Sequence, residues 1–460
     1  MIELKGKFSD AKIFIDNVEA GLYEQIYSVI NSPASKGLKV RIQPDCHVGA
    51  GICVGFTMEL GKMVTPNWLG VDISCGMLSA KFSKDTKLNL EKINSEIRKR
   101  VPMGFEIHGE TKFKNIPFDL IQKNADLFII KYNEKFGTSY SAPIYNEKWL
   151  TKKLKDINMD ELRFWKSIGS LGAGNHFIEI GKSQSTGDYW ITIHSGSRNF
   201  GLKIADYWNN VASGKVSVVS KEYTKELNNI LMNTVPKNLI PAKLKELKDK
   251  YKVGINKEFL MDEDLIGYLM DVIFVQEYAH SNRMTMLNII QDILGVKKFD
   301  EVVNTIHNYV DFNDFIIRKG AISSMKGQKM IIPFNMRDGI LLCEGKSNSD
   351  WNNSAPHGAG RLMSRTEAKG KIDMDKFKKS MKGIYSTSVT KDTLDESCFA
   401  YKDSKVIENA IEPTATILDR IIPILNIKDS GKSVSWKERK AAKKKREMNR
   451  DADRKMKRRG

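Results

Sequence analysis

The chain has 460 residues, 41% hydrophobic and 28% charged, the balance of a folded protein with one large core or two to three domains. No apolar run approaches a membrane span, the N-terminus Met-Ile-Glu-Leu-Lys-Gly-Lys lacks a signal-peptide core, and five scattered cysteines make no disulfide framework, so a reduced, cytoplasmic protein is expected. Of the net charge of +18, residues 431–460 carry +10, which points to a polyanion; with few apolar anchors beside that charge, the expected partner is nucleic acid and not a membrane.

Residues 38–82 read as strands and tight turns, with β-rich runs broken by Gly and Pro. Residues 86–165 read as mostly helical. Strand character returns at His176–Ile180 and Tyr189–His194. In the second run Trp190, Thr192 and His194 share one face, and Ile191 and Ile193 the other, so an imidazole ends this strand on its more polar side. Residues 220–252 and 263–294 show helical spacing; Leu265, Tyr268, Leu269 and Val272 form a core-facing stripe. Strands follow at Ile306–Phe312, Met330–Phe334 and Ile340–Glu344, then helices at Thr366–Gly383 and Ser404–Leu418. No repeat or Pro- or Ser-rich linker divides residues 1–430, so one mixed domain is expected there, followed by a basic tail, flexible or helical, over 431–460.

Four of the seven histidines sit in short stretches dense in glycine and polar residues: G-A-G-N-H-F-I-E-I (His176), I-T-I-H-S-G-S-R-N-F-G (His194), I-H-N-Y-V-D-F (His307) and S-A-P-H-G-A-G-R (His357). A core histidine needs one hydrogen bond and no flanking glycine, whereas glycine lets a backbone approach a ligand closely. With Asp72 and Cys75 from G-V-D-I-S-C-G, residues His176, His194 and His307 offer one carboxylate, one thiolate and three imidazoles, enough for one divalent ion, or for two if one ligand bridges. Thiolate and imidazole favour zinc, and a mixed O/N/S site also serves manganese or cobalt. His357 is placed to act as a nucleophile toward phosphorus, with Arg361 four residues on to hold a phosphate; as a sixth metal ligand or a turn residue it would be less informative. Ser195-Gly-Ser-Arg-Asn-Phe-Gly and Arg318-Lys-Gly-Ala are weaker phosphate-handling candidates, and neither is a Walker A loop. Cys46 and Cys53 match no zinc spacing and read as buried thiols.

Taken in order, P-D-C-H-V-G, G-V-D-I-S-C-G, G-S-L-G-A-G-N-H-F-I-E-I, I-H-S-G-S-R, N-R, H-N-Y-V, R-K-G-A, I-I-P and H-G-A-G-R-L-M-S-R span most of the chain from Pro44 to about Lys428. Together they resemble the RtcB-type RNA ligases, which are GTP- and manganese-dependent. The resemblance implies an α+β fold, a single large domain with central packed β-sheets flanked by helices. It implies a ligase that joins an RNA 3′-phosphate or 2′,3′-cyclic phosphate to a 5′-hydroxyl through a histidine–GMP intermediate, in RNA repair or tRNA splicing. His357 would then carry GMP. Asp72, Cys75, His176, His194 and His307 would hold two Mn²⁺ ions, Cys75 bridging them. Asn175, Phe177, Glu179, Asn308, Gly358, Gly360, Arg361 and Lys428 would contact GTP, as would Pro333, Asn335, Met336 and Gly339 of the loop before the nucleophile. Asp45, Arg198 and Lys319 match positions used for activity or RNA-phosphate contact. A monomer is expected, with an archease-type activator as a further partner. Two features depart from the family pattern. Ile332-Pro-Phe-Asn-Met-Arg-Asp-Gly replaces a small-residue loop, bringing Phe334, Arg337 and Asp338 toward the nucleotide, and the basic tail extends past Lys428. The alternatives are a metal-dependent phosphoesterase acting on RNA ends or nucleotides, for which the altered loop would explain lost nucleotide use, and a non-catalytic RNA-binding homologue.

Overall fold

A computed structural model describes residues 1–113, 115–214 and 258–429, with isolated positions between 226 and 247. Apart from those positions, the helical reading of 220–252 lies outside the described residues, as does the tail over 431–460.

Two sheets form the centre. One has six strands in the order β1 (Ile2–Lys5), β2 (Asp10–Ile13), β3 (Val40–His47), β4 (Val54–Glu59), β12 (Ile316–Lys319) and β11 (Asn308–Asp311). The other has seven antiparallel strands in the order β10 (Glu301–Ile306), β6 (Gly76–Phe82), β8 (Tyr189–Ser195), β7 (Phe177–Ser183), β17 (Ala415–Ile427), β15 (Ile340–Gly345) and β14 (Lys329–Pro333). Two short pairs complete the set, β13 (Ala321–Ser323) with β16 (Ser354–Pro356) and β5 (Met63–Val64) with β9 (Leu260–Met261). The edges of the seven-stranded sheet approach each other, the Ile331 N–H donating to Thr305 Oγ1 at 3.1 Å, so the sheet curls into a near-barrel.

The period-two pattern decides which side chains enter that barrel. Met77, Trp190, Val303, Ile331, Ile340 and Ile421 pack together on the inside. Leu78, Ile178, Ile193 and Leu425 pack outside with Ile93 and Ile97 of helix Leu90–Arg100 and with Met286, Leu287 and Ile290 of helix Asp262–Leu294. Burying each such aliphatic side chain contributes about 1.5–3 kcal/mol. The long helix Asp262–Leu294 opens with Asp262, Glu263 and Asp264 at its positive end and stops at Gly295, whose φ of +66° suits a left-handed C-cap.

The mixed α+β architecture with helices outside packed sheets is as expected. Local corrections have physical causes. The expected strand Ile306–Phe312 is cut at His307: β10 ends in the near-barrel and β11 begins in the six-stranded sheet. Thr366–Gly383 is two short helices, Arg365–Lys371 and Met374–Ser380, because Asp373 caps the second by accepting from the Lys376 N–H. The helix from Ser404 ends at Ala410, where Pro413 bars continuation, and the chain passes into the thirteen-residue strand β17.

Candidate active site

The histidine stretches meet where strands end or change sheets. Cys75 immediately precedes β6, His176 immediately precedes β7, His194 lies near the end of β8, and His307 is the crossing between sheets. Backbone bonds tie these ends together: the His307 N–H donates to Cys75 O at 2.9 Å, and the Ser74 N–H to Asn308 O at 2.6 Å. The long helix clamps them from behind. Arg283, fully buried, donates to Ser74 O and Ser195 O at 2.8 and 3.0 Å, while Asn282 bonds Gly196 O and accepts from the Gly169 and Ser170 N–H groups. The N-R pair of the sequence is therefore a brace behind the strand ends.

Two imidazoles meet the Cys75 sulfur, and each has a further donor beside it. Cys75 Sγ lies 3.3 Å from His176 Nε2 and 3.2 Å from His194 Nε2; His176 Nε2 lies 3.0 Å from Asp72 Oδ2, and His194 Nε2 3.4 Å from His307 Nε2. Two ligand atoms each about 2.0–2.3 Å from one ion stand roughly 3–4 Å apart, so these spacings suit shared cations. Tautomers support this. His176 Nδ1 lies 2.9 Å from Leu171 O, a bond that takes the ring proton and leaves the Nε2 lone pair facing a carboxylate and a sulfur. Burial drives the ionisation of His194 and His307 well below the usual imidazole range, keeping both neutral as ligands. Burial, with Asp72 beside it, pushes the Cys75 thiol well up, which a bound cation would reverse. Cys75, His176 and His194 form a compact group able to ligate a metal, with Asp72 beside His176 and His307 beside His194.

His357, just beyond β16, has its ring centroid 4.8 Å from that of His307. Asp45 on β3 is fully buried and receives two hydrogens from it: Nδ1 lies 2.6 Å from Asp45 Oδ2, and the His357 N–H donates to the same oxygen at 3.1 Å. In the neutral ring this bond fixes the tautomer, with the proton on Nδ1 and the lone pair on Nε2. His357 lines a cavity of about 1070 Å³, with Asp45 behind it.

All of the sequence-predicted nucleotide residues line this cavity. Glu179 accepts from Asn426 Nδ2 at 2.8 Å, and burial raises its carboxyl to about 8 against the pull of Asn426 and Lys428. Lys428, 2% exposed, pairs with Glu396 at 3.0 Å and lies 5.4 Å over the Phe177 ring. Arg361 donates to Asp395 O and lies 5.0 Å over the Tyr401 ring. Helix Arg365–Lys371 starts later than Arg361, with Ser364 as its N-cap. Asn308 holds backbone, accepting from Gly320 N–H and donating to Asp72 O. In the altered loop, Asn335 closes a turn by accepting from the Arg337 and Asp338 N–H groups; Arg337 and Asp338 pair with each other away from the cavity, while Phe334 lines it.

Two phosphate-handling readings change. Arg198 opens helix Arg198–Ala212 behind Asp72 and donates to Ser170 Oγ and Gly104 O, outside the cavity wall. Arg318 is entirely buried and bound to Asp311 and Asp314, so it cannot meet a phosphate. Lys319 does reach the cavity, its Nζ donating to Ala50 O and Ile52 O, and burial lowers it to about 8. Cys46 and Cys53 are buried free thiols.

Among the wall residues that sequence reasoning passed over are His47, Glu396, Tyr401 and Asn426. His47 was within reach of inspection, two residues after Asp45 in P-D-C-H, as was Asn426, two before Lys428 on β17. Glu396 and Tyr401 lie in D-E-S-C-F-A-Y, which carries no local signal.

A family model described as tRNA-splicing ligase RtcB matches residues 25–429. The RNA-splicing ligase RtcB of Escherichia coli K12 is 28% identical over 438 residues, covering 89% of this chain and 95% of that protein. The tRNA-splicing ligase RtcB of Methanococcus maripaludis is 25% identical over 448 residues, with 87% and 89% covered. That of Nanoarchaeum equitans is 26% identical over 445 residues, with 84% and 87% covered.

Proposed function

We propose a mechanism for this chain, which belongs to the RtcB family of tRNA-splicing ligases and is an RNA ligase: it joins RNA ends bearing a 3′-phosphate or 2′,3′-cyclic phosphate to ends bearing a 5′-hydroxyl through guanylylated His357. The observation that carries this reading is the Asp45–His357 pair set against a cluster of converging metal donors.

With Nδ1–H held by Asp45, His357 Nε2 attacks the α-phosphorus of GTP. The N–P bond forms, the bond to the β-phosphate oxygen breaks, and pyrophosphate leaves. An oxygen of the RNA 3′-phosphate then takes the GMP group, and the N–P electron pair returns to Nε2. A cyclic phosphate is first opened by water. The 5′-hydroxyl attacks the activated 3′-phosphorus, loses its proton to solvent, and GMP departs. Asp72, Cys75, His176, His194 and His307 would hold two Mn²⁺ ions, which when bound neutralise phosphate charge and polarise P–O bonds. Glu179 suits the N1–H and 2-amino donors of guanine. Phe177, Lys428, Asn175, Asn308, Arg361 and, from the loop before the nucleophile, Pro333, Asn335, Met336 and Gly339 complete the nucleotide site; Lys319 serves the RNA end, and Arg198 steadies Asp72 from behind. The same reading takes residues 1–430 as one catalytic domain, the chain as a cytoplasmic monomer open to an archease-type activator, and the basic tail as a sequence-independent RNA contact.

Incubation with Mn²⁺ and α-labelled GTP tests the central step. The expected result is an acid-labile, alkali-stable label on the protein that is lost in His357→Ala. Loss of RNA cyclic phosphate without label would favour a phosphoesterase, and RNA retention without turnover a binding protein.

A further inference from the structure

Asn426 faces Glu179 directly across the β17–β7 pair, and both side chains line the cavity while being 2% exposed. Asn426 Nδ2 donates to Glu179 Oε2 at 2.8 Å. That bond orients both groups and leaves two acceptors, Glu179 Oε1 and Asn426 Oδ1, buried with no hydrogen-bond partner among the described residues. A buried acceptor without a donor is costly, and two side by side on a cavity wall are a demand for two or more donors from one ligand edge. An adenine edge places an acceptor at N1 against this wall, and uracil brings one N–H flanked by carbonyls. Guanine brings N1–H and a 2-amino group with two hydrogens, one more donor than a carboxylate alone can take in its bidentate grip.

We infer that Asn426 is a specificity-determining residue that accepts the second hydrogen of the guanine 2-amino group through Oδ1 while its Nδ2 holds Glu179 in register. The inference rests on the guanine-nucleotide reading above and adds a second reader to it. Lys428 cannot share this role: as an ammonium it has donors only. Hypoxanthine keeps N1–H and lacks the amino group, so the pair GTP and ITP isolates the contact.

The test is equilibrium binding of GTP and of ITP, in Mn²⁺, to the full-length protein and to Asn426→Leu and Asn426→Val, each checked for a wild-type thermal melt. Leu keeps the volume and Val suits the strand, so one folded variant suffices. The wild type is expected to prefer GTP, and the variants to lose about tenfold or more of that preference, chiefly through weaker GTP binding. An unchanged GTP/ITP ratio overturns the inference, including the case where both nucleotides weaken equally because Asn426 merely props Glu179. So does a wild type without preference. Because binding needs no chemistry, a failed histidine label with an intact GTP preference would sink the ligation mechanism alone, whereas no binding of either nucleotide would sink both.

Discussion

Two buried polar clusters lie on adjoining stretches of this chain and are wired in opposite ways. Around Arg318 every donor meets an acceptor: Nε bonds Ser354 Oγ at 2.8 Å, one terminal nitrogen bonds Asp311 at 2.9 Å, and the other bonds Asp314 at 2.6 Å. Around Cys75, acceptors face acceptors, since the lone pair of His176 points at the Asp72 carboxylate. The first cluster is complete within the protein and ties strand β12 to the segment before β16. The second is complete only with a cation or a proton between its members. The difference teaches how to sort buried polar residues: matched donors and acceptors mark architecture, and unmatched lone pairs mark a site.

Cys75→Ala should break the open cluster at its hub. The expected outcome is loss of Mn²⁺ binding and of metal-dependent joining by a thousandfold or more, with an unaltered melt of the metal-free protein; metal titration and a ligation assay check it. Retained activity would show that the sulfur is not shared. Arg318→Met should do the reverse, costing about 3–5 kcal/mol of stability by stranding two part-buried carboxylates, while the folded fraction keeps its metal stoichiometry. Denaturant melts at fixed pH measure that cost, and a change below about 1 kcal/mol would contradict the closed-network reading.

A smaller effect sharpens the contrast at Glu179, whose carboxyl burial raises to about 8. Guanine donors need the ionised form, so GTP affinity should weaken as pH falls from 8.5 to 6.5, by about tenfold, and Glu179→Gln should bind weakly with a flat profile. The sign for stability is opposite. The folded state holds this proton up to about pH 8 and the unfolded state releases it near 4.5, so the ligand-free protein loses stability as pH rises through that window. The Gln variant lacks that slope, and a wild-type profile without it would contradict the shift.

Much of the site was legible because glycine-flanked histidines and an Asp-x-x-Cys pair are local signals. The polar face of β8 was equally plain: Trp190, Thr192 and His194 do enter the near-barrel while Ile191 and Ile193 pack under helices. Arg318 shows the limit. Beside Lys319 and Gly320 it reads as a phosphate hook, and only its distance to Asp311 and Asp314 reveals a core ion pair. The loop 333–339 is a second case, since Arg337 and Asp338 look like intrusions on the nucleotide yet bond to each other outside the cavity.

The amino-acid order by itself determined which donors exist, where strands alternate, and that an ordered set of motifs places the chain among RNA-sealing enzymes. Convergence was decided by the tertiary structure. Asp45 and His357 stand 312 positions apart and meet because β16 lies against β3, and His307 reaches His194 because the chain changes sheets there. Such meetings depend on strand register and sheet curvature, which arise from burial summed over the whole core, and no local window of residues encodes that sum.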